Sequence, residues 1–273
     1  MNEDTWIGRT IAERYRIVAP LGHGGFGGVC RATHIETGGD VAVKMIHAHH
    51  ASDPKIVERF NLEARNTHGL HHPNTVRLTA FGRAEGGELY LVSEYINGRT
   101  LADVVAHEAP VGTDRAVHIV MQILRSLGEA HGAGLVHRGI KPQNVMLVDQ
   151  FGVPDFVKVL DFGIARSLTE VNHSSGLVGT PSYMAPEQWY GRRLDARADI
   201  YAVGCVLYQL LTAQRPFDQP GAADDVDAHH LNGGRVATPA RRSCGNRRGA
   251  DRDADAATLA NPGAAGAGGA WSG

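Results

Sequence analysis

Three glycines near the start of the chain, Gly22, Gly24 and Gly27, stand in the spacing G-x-G-x-x-G. In a dinucleotide-binding unit the third glycine of this pattern opens a helix. Here a second strand-like run, residues 40–46, follows instead, so the pattern predicts a glycine-rich hairpin. Glycines let a backbone approach a ligand closely and leave N–H groups free to bind phosphate oxygens. The hairpin is therefore a candidate phosphate cradle, although an ordinary Gly-rich turn would show the same spacing.

A single ammonium group ends the strand-like run that follows the hairpin. Residues 41–44 read Val-Ala-Val-Lys, so Lys44 would place one cation beside a phosphate held by the glycines. Such a lysine needs an acidic partner to hold it. Residues 54–65 are predicted to form a helix, and its Glu63 is the candidate partner, with Glu58, one turn earlier, as the alternative.

Two polar motifs follow in the second half of the chain. Residues 137–144 read His-Arg-Gly-Ile-Lys-Pro-Gln-Asn, in a predicted loop between a long helix and a short strand, and Asp161-Phe162-Gly163 begins seventeen positions after Asn144. Residues 179–187 then read Gly-Thr-Pro-Ser-Tyr-Met-Ala-Pro-Glu, and Asp199 opens an apolar run. With the hairpin, the lysine and the helical glutamate, these ordered motifs resemble the eukaryotic-type (Hanks-type) serine/threonine protein kinases. The resemblance covers residues 12–218, and its opening residues look like bacterial members.

The resemblance implies an α+β, two-lobed protein-kinase-like fold. The small N-lobe would be rich in β-strands with one helix, and the larger helical C-lobe would lack its last helices. The implied organisation is an N-terminal extension (1–14), a kinase domain (15–218) and a tail (219–273). Within the kinase domain, the N-lobe would span 15–93, the hinge 94–97 and the incomplete C-lobe 98–218. The tail is rich in Ala, Gly, Arg and Asp and is predicted to be disordered.

Helical periodicity independently predicts a long helix over residues 114–132. Its predicted core face consists of Val117, Val120, Met121, Leu124, Leu127 and Gly128. The apolar run from Ile200 to Leu211 is too short to span a bilayer and is interpreted as a buried helix.

The family resemblance also implies an activity, which is transfer of the ATP γ-phosphate to Ser or Thr hydroxyls in signalling, with Mg²⁺ as the metal. Lys141 would neutralise charge on the γ-phosphate, whereas Asn144 and Asp161 would bind Mg²⁺; together with Lys44 and Glu63 they make up the implied catalytic set. The implied ATP-binding residues are Leu21, Gly22, Gly24, Gly27, Val29, Ala42, Lys44, Glu94, Ile96 and Met146.

The chain departs from the family pattern at two positions. Gly139 occupies the position of the aspartate that accepts or orients the proton of the substrate hydroxyl, and glycine has no side chain for either task. Thr67, four positions after Glu63, stands where the family usually has an apolar residue that packs under the helix.

Regulatory residues are implied as well. In the family, the arginine that corresponds to Arg138 contacts a phosphate on the activation loop. The segment of this chain that corresponds to that loop contains Thr169, Ser174 and Ser175, which are therefore candidate phosphorylation sites. Polar loop residues without that role would look the same. Thr180 is expected to shape the substrate-binding loop.

The amino-acid composition limits the kinds of partner and the cellular compartment that can be expected for this protein. The chain has 273 residues, of which 42% are hydrophobic, which is enough to form a hydrophobic core. Its net charge of -2 gives no overall positive potential that would indicate binding to nucleic acid. Its three cysteines form no CxxC pair. No signal peptide or membrane segment is predicted, which favours a cytoplasmic protein with ATP and a protein substrate or signalling partner of unidentified kind.

Three interpretations remain open at this stage. The first is a serine/threonine kinase weakened by Gly139, the second is a pseudokinase that binds ATP or serves as a scaffold, and the third is an inactive kinase fragment. The composition of the tail also suggests a shifted reading frame, which the coding DNA would test.

Overall fold

The computed structural model of the chain describes residues 6–24, 27–150, 152–162 and 181–216. These residues form a β-rich lobe and a mainly helical lobe, which meet at the segment after residue 94. The predicted α+β, two-lobed architecture is confirmed. The predicted activation-loop residues and the tail after residue 216 lie outside the described residues, and so the absence of the last helices stays a prediction.

The first lobe is built on one antiparallel sheet of six strands in the order β1-β2-β3-β4-β6-β5. The strands are β1 (Thr10–Ile11), β2 (Tyr15–Gly24), β3 (Gly27–His34), β4 (Asp40–Ile46), β5 (Leu78–Arg83) and β6 (Leu89–Glu94). Buried and more exposed positions alternate along β3, as expected for a strand with one face on a core. At the start of β3 only glycine fits, because a Cβ on Gly27 would lie 1.8 Å from the carbonyl oxygen of Met45.

Residues before β2 also belong to the core of this lobe. Trp6 and Ile11 are 3% and 1% exposed and pack among the buried side chains on one side of the sheet. Arg9 adds an ion pair, with its Nη1 2.8 Å from Oε1 of Glu88. These residues lie within the stretch that the sequence resemblance leaves as an extension.

Helix α1 (Pro54–His68) covers the other side of the sheet. It begins with proline in its first turn, where the missing N–H costs nothing, and the side chain of Asp53 caps it by accepting from the Lys55 N–H. Phe60 is fully buried against the sheet. Thr67, in the last turn, is also buried, at 6% exposure.

The second lobe combines a small antiparallel sheet with four helices among its described residues. The sheet consists of β7 (Arg99–Thr100), β8 (Val145–Gln150) and β9 (Val153–Val159), and the helices are α2 (Leu101–Glu108), α3 (Thr113–Gly132), α4 (Pro186–Trp189) and α5 (Ala196–Thr212). Buried apolar residues of α3, α5 and the sheet form one continuous core.

The helix predicted over 114–132 is confirmed as α3, but the prediction of its core face is wrong in part. Val120 and Leu127 are buried, whereas Val117 and Met121 are 47% and 45% exposed. The face that α3 buries consists of Ala116, Ile119, Val120, Ile123, Leu127 and Ala130. Apolar residues lie on more than one face of this helix, and its packing partners determine which face is buried.

Helix α5 is capped by the side chain of Asp195, which accepts from the Arg197 N–H. Only one face of this helix is buried, because Ile200 and Leu211 are 48% and 37% exposed. None of the helices in the described ranges is long and apolar enough to cross a membrane.

Candidate active site

The glycine hairpin and Lys44 lie side by side in the sheet of the first lobe. Strands β2 and β3 pair from Tyr15↔His34 to Gly24↔Gly27, so the predicted hairpin is present, with its two tip residues outside the described ranges. In the next pair of strands, Val29 stands opposite Lys44. The lysine is therefore presented beside the base of the hairpin, where a phosphate bound by the glycines would need a cation.

The ion pair recorded for Lys44 is with Asp161. Its Nζ lies 3.0 Å from Asp161 Oδ2. This contact joins strand β4 of the first lobe to a residue of the second lobe that lies two positions after the end of β9. Desolvation in the cleft raises the pKa of the Asp161 carboxyl, but the charge and hydrogen bond of Lys44, helped by Lys141, outweigh it, so that this pKa is lowered. Asp161 is therefore an ionised carboxylate that is paired with the ammonium group of Lys44.

Glu63 lies on α1 and is half-buried, with interactions of its own. The role of Glu63 as the partner of Lys44 stays a prediction.

The loop at residues 137–144 is anchored to the buried carboxylate of Asp199. Oδ2 of Asp199 accepts from the His137 N–H and Oδ1 from the Arg138 N–H, each at 2.8 Å, and His131 Nε2 lies 2.8 Å from Oδ2. Asp199 is 1% exposed and lies in the first turn of α5. The anchor allows Arg138 to hold a left-handed backbone, with φ of 60°.

The imidazole of His137 connects this loop to the strand end that carries Asp161. Its Nε2 donates to the Leu160 carbonyl at 2.8 Å, its Nδ1 accepts from the Gly139 N–H at 3.2 Å, and its ring lies 4.6 Å from that of Phe162. Complete burial lowers the pKa of His137, and the negative charge of Asp199 offsets this only in part. The ring is therefore neutral and protonated on Nε2.

Asn144 holds the other side of the same loop. Its Nδ2 donates to the Gly139 carbonyl at 2.8 Å, and its own carbonyl accepts from the Leu160 N–H at 2.9 Å. Since Leu160 precedes Asp161, this second bond keeps Asn144 next to the carboxylate.

Gly139 thus has its N–H and its carbonyl bound by two neighbouring side chains. A Cβ built on it would meet Asn144 Nδ2 and His137 Nδ1 at 3.6 Å, which are ordinary van der Waals distances. The loop therefore keeps its conformation without a side chain at this position, and it has room for one.

A magnesium ion is implied by the family resemblance, and the residues present fit one. Asp161 offers a carboxylate whose side chain is 44% exposed in the cleft. The Nδ2 of Asn144 is bound to Gly139, so its Oδ1 is the amide atom that can face a cation. Mg²⁺ prefers oxygen ligands and is commonly bound by one or two protein groups together with substrate phosphates. Asn144 and Asp161 would hold it here.

Comparison with known proteins agrees with this arrangement. The family model of the protein kinase domain matches residues 15–241. The chain belongs to the protein kinase family. It is 42% identical over 232 residues to the serine/threonine-protein kinase pkn3 of Myxococcus xanthus, covering 83% of this chain and 42% of that protein. It is 40% identical over 213 residues to the serine/threonine-protein kinase PknB of Mycobacterium leprae, covering 76% of this chain and 34% of that protein.

The fold of this chain also matches a solved structure. The crystal structure of the PknI kinase domain of Mycobacterium tuberculosis superposes with a TM-score of 0.63 at 28% sequence identity, covering 78% of this chain and 81% of that domain. The resemblance to bacterial serine/threonine protein kinases and the protein-kinase fold are therefore confirmed. The chain spans less than half the length of the two curated relatives.

The remaining residues that are predicted to bind the nucleotide are distributed over both lobes. Ala42 stands opposite Ser93 and Val41 opposite Glu94 in the β4–β6 pair, and Met146 lies on β8 in the second lobe. Leu21 is 47% exposed near the end of β2. The N–H of Glu94 donates to the Arg77 carbonyl at 3.1 Å, so the backbone group that Glu94 could offer to a ligand is its carbonyl.

Three residues that position the site were not assigned this role by sequence reasoning. Asp199 anchors the loop, although the sequence marks it only as the start of a helix. Glu94 accepts a hydrogen bond from Lys158 Nζ at 2.8 Å through its side chain. Lys158 is 9% exposed, and its place between the apolar Val157 and Val159 is the signal that could have identified it.

The candidate regulatory residues Thr169, Ser174, Ser175 and Thr180 lie outside the described residues, as does Gly163. Their roles stay predictions. Gln188, in helix α4, makes two hydrogen bonds of 3.1 Å. Its Oε1 accepts from the Ala185 N–H, and its Nε2 donates to the Arg138 carbonyl. Helix α4 is therefore connected directly to the loop that contains Gly139.

Proposed function

We propose that this kinase domain binds Mg-ATP in the cleft between its lobes and transfers the γ-phosphoryl group to Ser or Thr hydroxyls slowly, because Gly139 supplies no base. The observation that carries the proposal is the pairing of Lys44 with Asp161 across the cleft at 3.0 Å. It brings the candidate phosphate-binding cation and the candidate metal-binding carboxylate to one place.

Phosphoryl transfer depends mainly on positioning and on compensation of charge, since its transition state is loose. Mg²⁺, when bound, would compensate negative charge on the phosphates. Lys44 would bind the α- and β-phosphates, and Lys141 would face the γ-phosphate. The N–H groups of the glycine hairpin would orient the phosphates between them.

The proton of the acceptor hydroxyl has no assigned base in this site. A positioned base typically contributes about 10²- to 10⁴-fold to the rate. Binding and charge compensation do not depend on that base, so transfer would be slowed while ATP binding remains.

A pseudokinase that binds ATP and acts through its surface is the alternative, and the same Gly139 favours it. A cytoplasmic location, protein substrates and a role in signalling belong to the proposal as well, and they rest on the family alone.

ATP binding is the direct test of the proposal. With ATP near a hundred times its Kd, binding adds about 2.7 kcal/mol to the free energy of unfolding, and this raises Tm by roughly 5–11 °C for a domain of this size. We expect that shift to require Mg²⁺ and to be lost in Lys44→Met and Asp161→Asn. The exposed Lys55 on α1 provides the matched control, so Lys55→Met should keep the shift. The absence of a Mg²⁺-dependent shift in the parent protein would contradict the proposal.

A further inference from the structure

Arg31 lies on the same face of the first sheet as residues that are predicted to bind the nucleotide. It stands opposite Ala42 in the β3–β4 pair, and Ala42 stands opposite Ser93 in the β4–β6 pair. Residues directly opposite each other in neighbouring strands project to the same side, as do residues two positions apart along one strand. Arg31 therefore shares its face with Ala42 and Val29, although the sequence motifs do not include it.

The side chain of Arg31 reaches the segment that follows β6. Its guanidinium carbon lies 5.6 Å from the centroid of the Tyr95 ring, which is within the range of a cation–π contact. Its Nε lies 3.3 Å from Oδ2 of Asp40, the first residue of β4. The guanidinium is therefore held by β4 on one side and contacts the Tyr95 ring on the other.

Tyr95 stands between two residues that are predicted to contact the nucleotide, Glu94 and Ile96. The side chain of Glu94 is fixed by the hydrogen bond from Lys158 Nζ. The Tyr95 ring is restrained by its contact with Arg31. Because the rotamer of a side chain and the conformation of its backbone are coupled, restraint of this ring also restricts the backbone on either side of it. That backbone is the part of the hinge that a purine base would contact.

We propose that Arg31 is a positioning residue of the nucleotide site, which holds the Tyr95 ring and so prepares the backbone of residues 94–96 to receive a purine base. Preparing a binding segment in advance raises affinity, because less ordering remains to be done when the ligand binds. The ligand class that gains from this arrangement is an adenine nucleoside, with or without phosphates. The inference rests on the proposed function, because a prepared hinge has a role only if ATP binds in the cleft.

The positive charge of Arg31 has a second effect on ATP. It attracts the negative phosphates whatever the conformation of the hinge. Adenosine has no phosphate and no net charge, so its affinity reports only the effect on the base. Added salt weakens the attraction between charges and leaves the effect on the base.

Isothermal titration calorimetry of the purified chain with adenosine and with Mg-ATP measures the two affinities. A cation–π contact at an exposed position contributes a factor of about 2 to 5 to an equilibrium constant. We expect Arg31→Met to raise the Kd of adenosine by about two- to fivefold at low and at high salt, and that of Mg-ATP by the same factor at high salt. The exposed Arg16 on β2 gives the matched control, and Arg16→Met should leave both constants unchanged.

Variants of the ring test whether Arg31 acts through Tyr95. Tyr95→Leu removes the aromatic face and should raise both constants as Arg31→Met does. Tyr95→Phe keeps that face and should bind both ligands as the parent does. The double variant of Arg31→Met and Tyr95→Leu should bind no more weakly than either single variant, because both substitutions remove one and the same contact.

The inference would be overturned by an equal Kd of adenosine in the parent and Arg31→Met, by a loss of affinity confined to Mg-ATP, or by additive losses in the double variant. A parent that binds Mg-ATP but not adenosine would overturn it as well. The Mg-ATP melting shift of the parent distinguishes these failures from that of the proposed function. If the shift is present, only the role of Arg31 is wrong. If the shift is absent, the proposed function fails too.

Discussion

Lys158 Nζ lies 2.8 Å from Glu94 Oε1 and connects the small sheet of the second lobe to the last residue of β6 in the first. The same carboxylate oxygen accepts from the Arg77 N–H at 2.9 Å. The side chains of Lys158 and Glu94 are 11% and 34% exposed, so the ion pair is partly shielded from solvent. It ties the two lobes together next to the segment that would meet the adenine.

This pair should be energetically coupled. Lys158→Met leaves the Glu94 carboxylate with one hydrogen bond fewer, and we expect it to lower the free energy of unfolding by about 1–3 kcal/mol. Glu94→Gln should cost less, and the double variant should be less destabilised than the sum of the two by about 1 kcal/mol. Urea denaturation of the four proteins measures this. Strictly additive losses would mean that the contact contributes no coupling.

Thr67 has a buried hydroxyl whose Oγ1 has no hydrogen-bond partner among the described residues. Replacing an unsatisfied buried hydroxyl by a methyl group of the same shape removes its desolvation cost. We therefore expect Thr67→Val to raise the free energy of unfolding by about 1 kcal/mol.

Thr75 provides the matched comparison for that substitution. It is equally buried, but its Oγ1 lies 2.8 Å from Ser126 Oγ. Thr75→Val breaks this bond and should lower the free energy of unfolding by about 1–2 kcal/mol. Thermal or urea denaturation of both variants measures the two changes in the free energy of unfolding, which we expect to have opposite signs. A loss of stability in Thr67→Val would show that its hydroxyl is not an unsatisfied group.

His137 predicts a dependence of stability on acid pH. Its folded-state pKa is lowered by burial, whereas in the unfolded chain an imidazole takes a proton near pH 6.5. Above about pH 6.5 the ring is neutral in both states and its contribution to stability is complete. As the pH falls from there towards the folded-state pKa, the unfolded state binds the proton first, and the stability falls.

The variant His137→Gln isolates this effect from the other histidines, because a Gln amide can donate to the Leu160 carbonyl but does not titrate. Between pH 7.5 and 5.5 we expect the parent to lose up to about 1.4 kcal/mol per pH unit more than the variant, the value for one proton. Urea denaturation at several pH values measures both slopes. Parallel slopes would show that His137 does not titrate as inferred.

Motif order in the sequence was sufficient to predict the two-lobed fold. The hairpin and the cap of α1 follow from local rules, since glycine spacing and a proline after an aspartate need no tertiary information. The absence of a carboxylate at position 139 could likewise be predicted, because the sequence itself shows that this residue is glycine.

Side-chain partners could not be predicted in the same way. The helix α3 follows from periodicity, but the exposure of Val117 and Met121 depends on how the helix packs against α5 and the sheet. The pairing of Lys44 with Asp161 depends on where the end of β9 meets the first lobe, which spacing along the chain does not specify. The anchoring of two loop N–H groups by Asp199 joins residues more than sixty positions apart.

If Gly139 limits phosphoryl transfer, restoring a carboxylate with Gly139→Asp should restore the rate. The measurement is the rate of ³²P transfer from Mg-ATP to the protein itself and to an acceptor peptide, with Gly139→Asn as the isosteric control. We expect a rate about 10²- to 10⁴-fold above that of the parent for Gly139→Asp, no gain for Gly139→Asn, and the same Mg-ATP melting shift in all three proteins. A Gly139→Asp variant that binds Mg-ATP but is no more active than the parent would contradict this expectation.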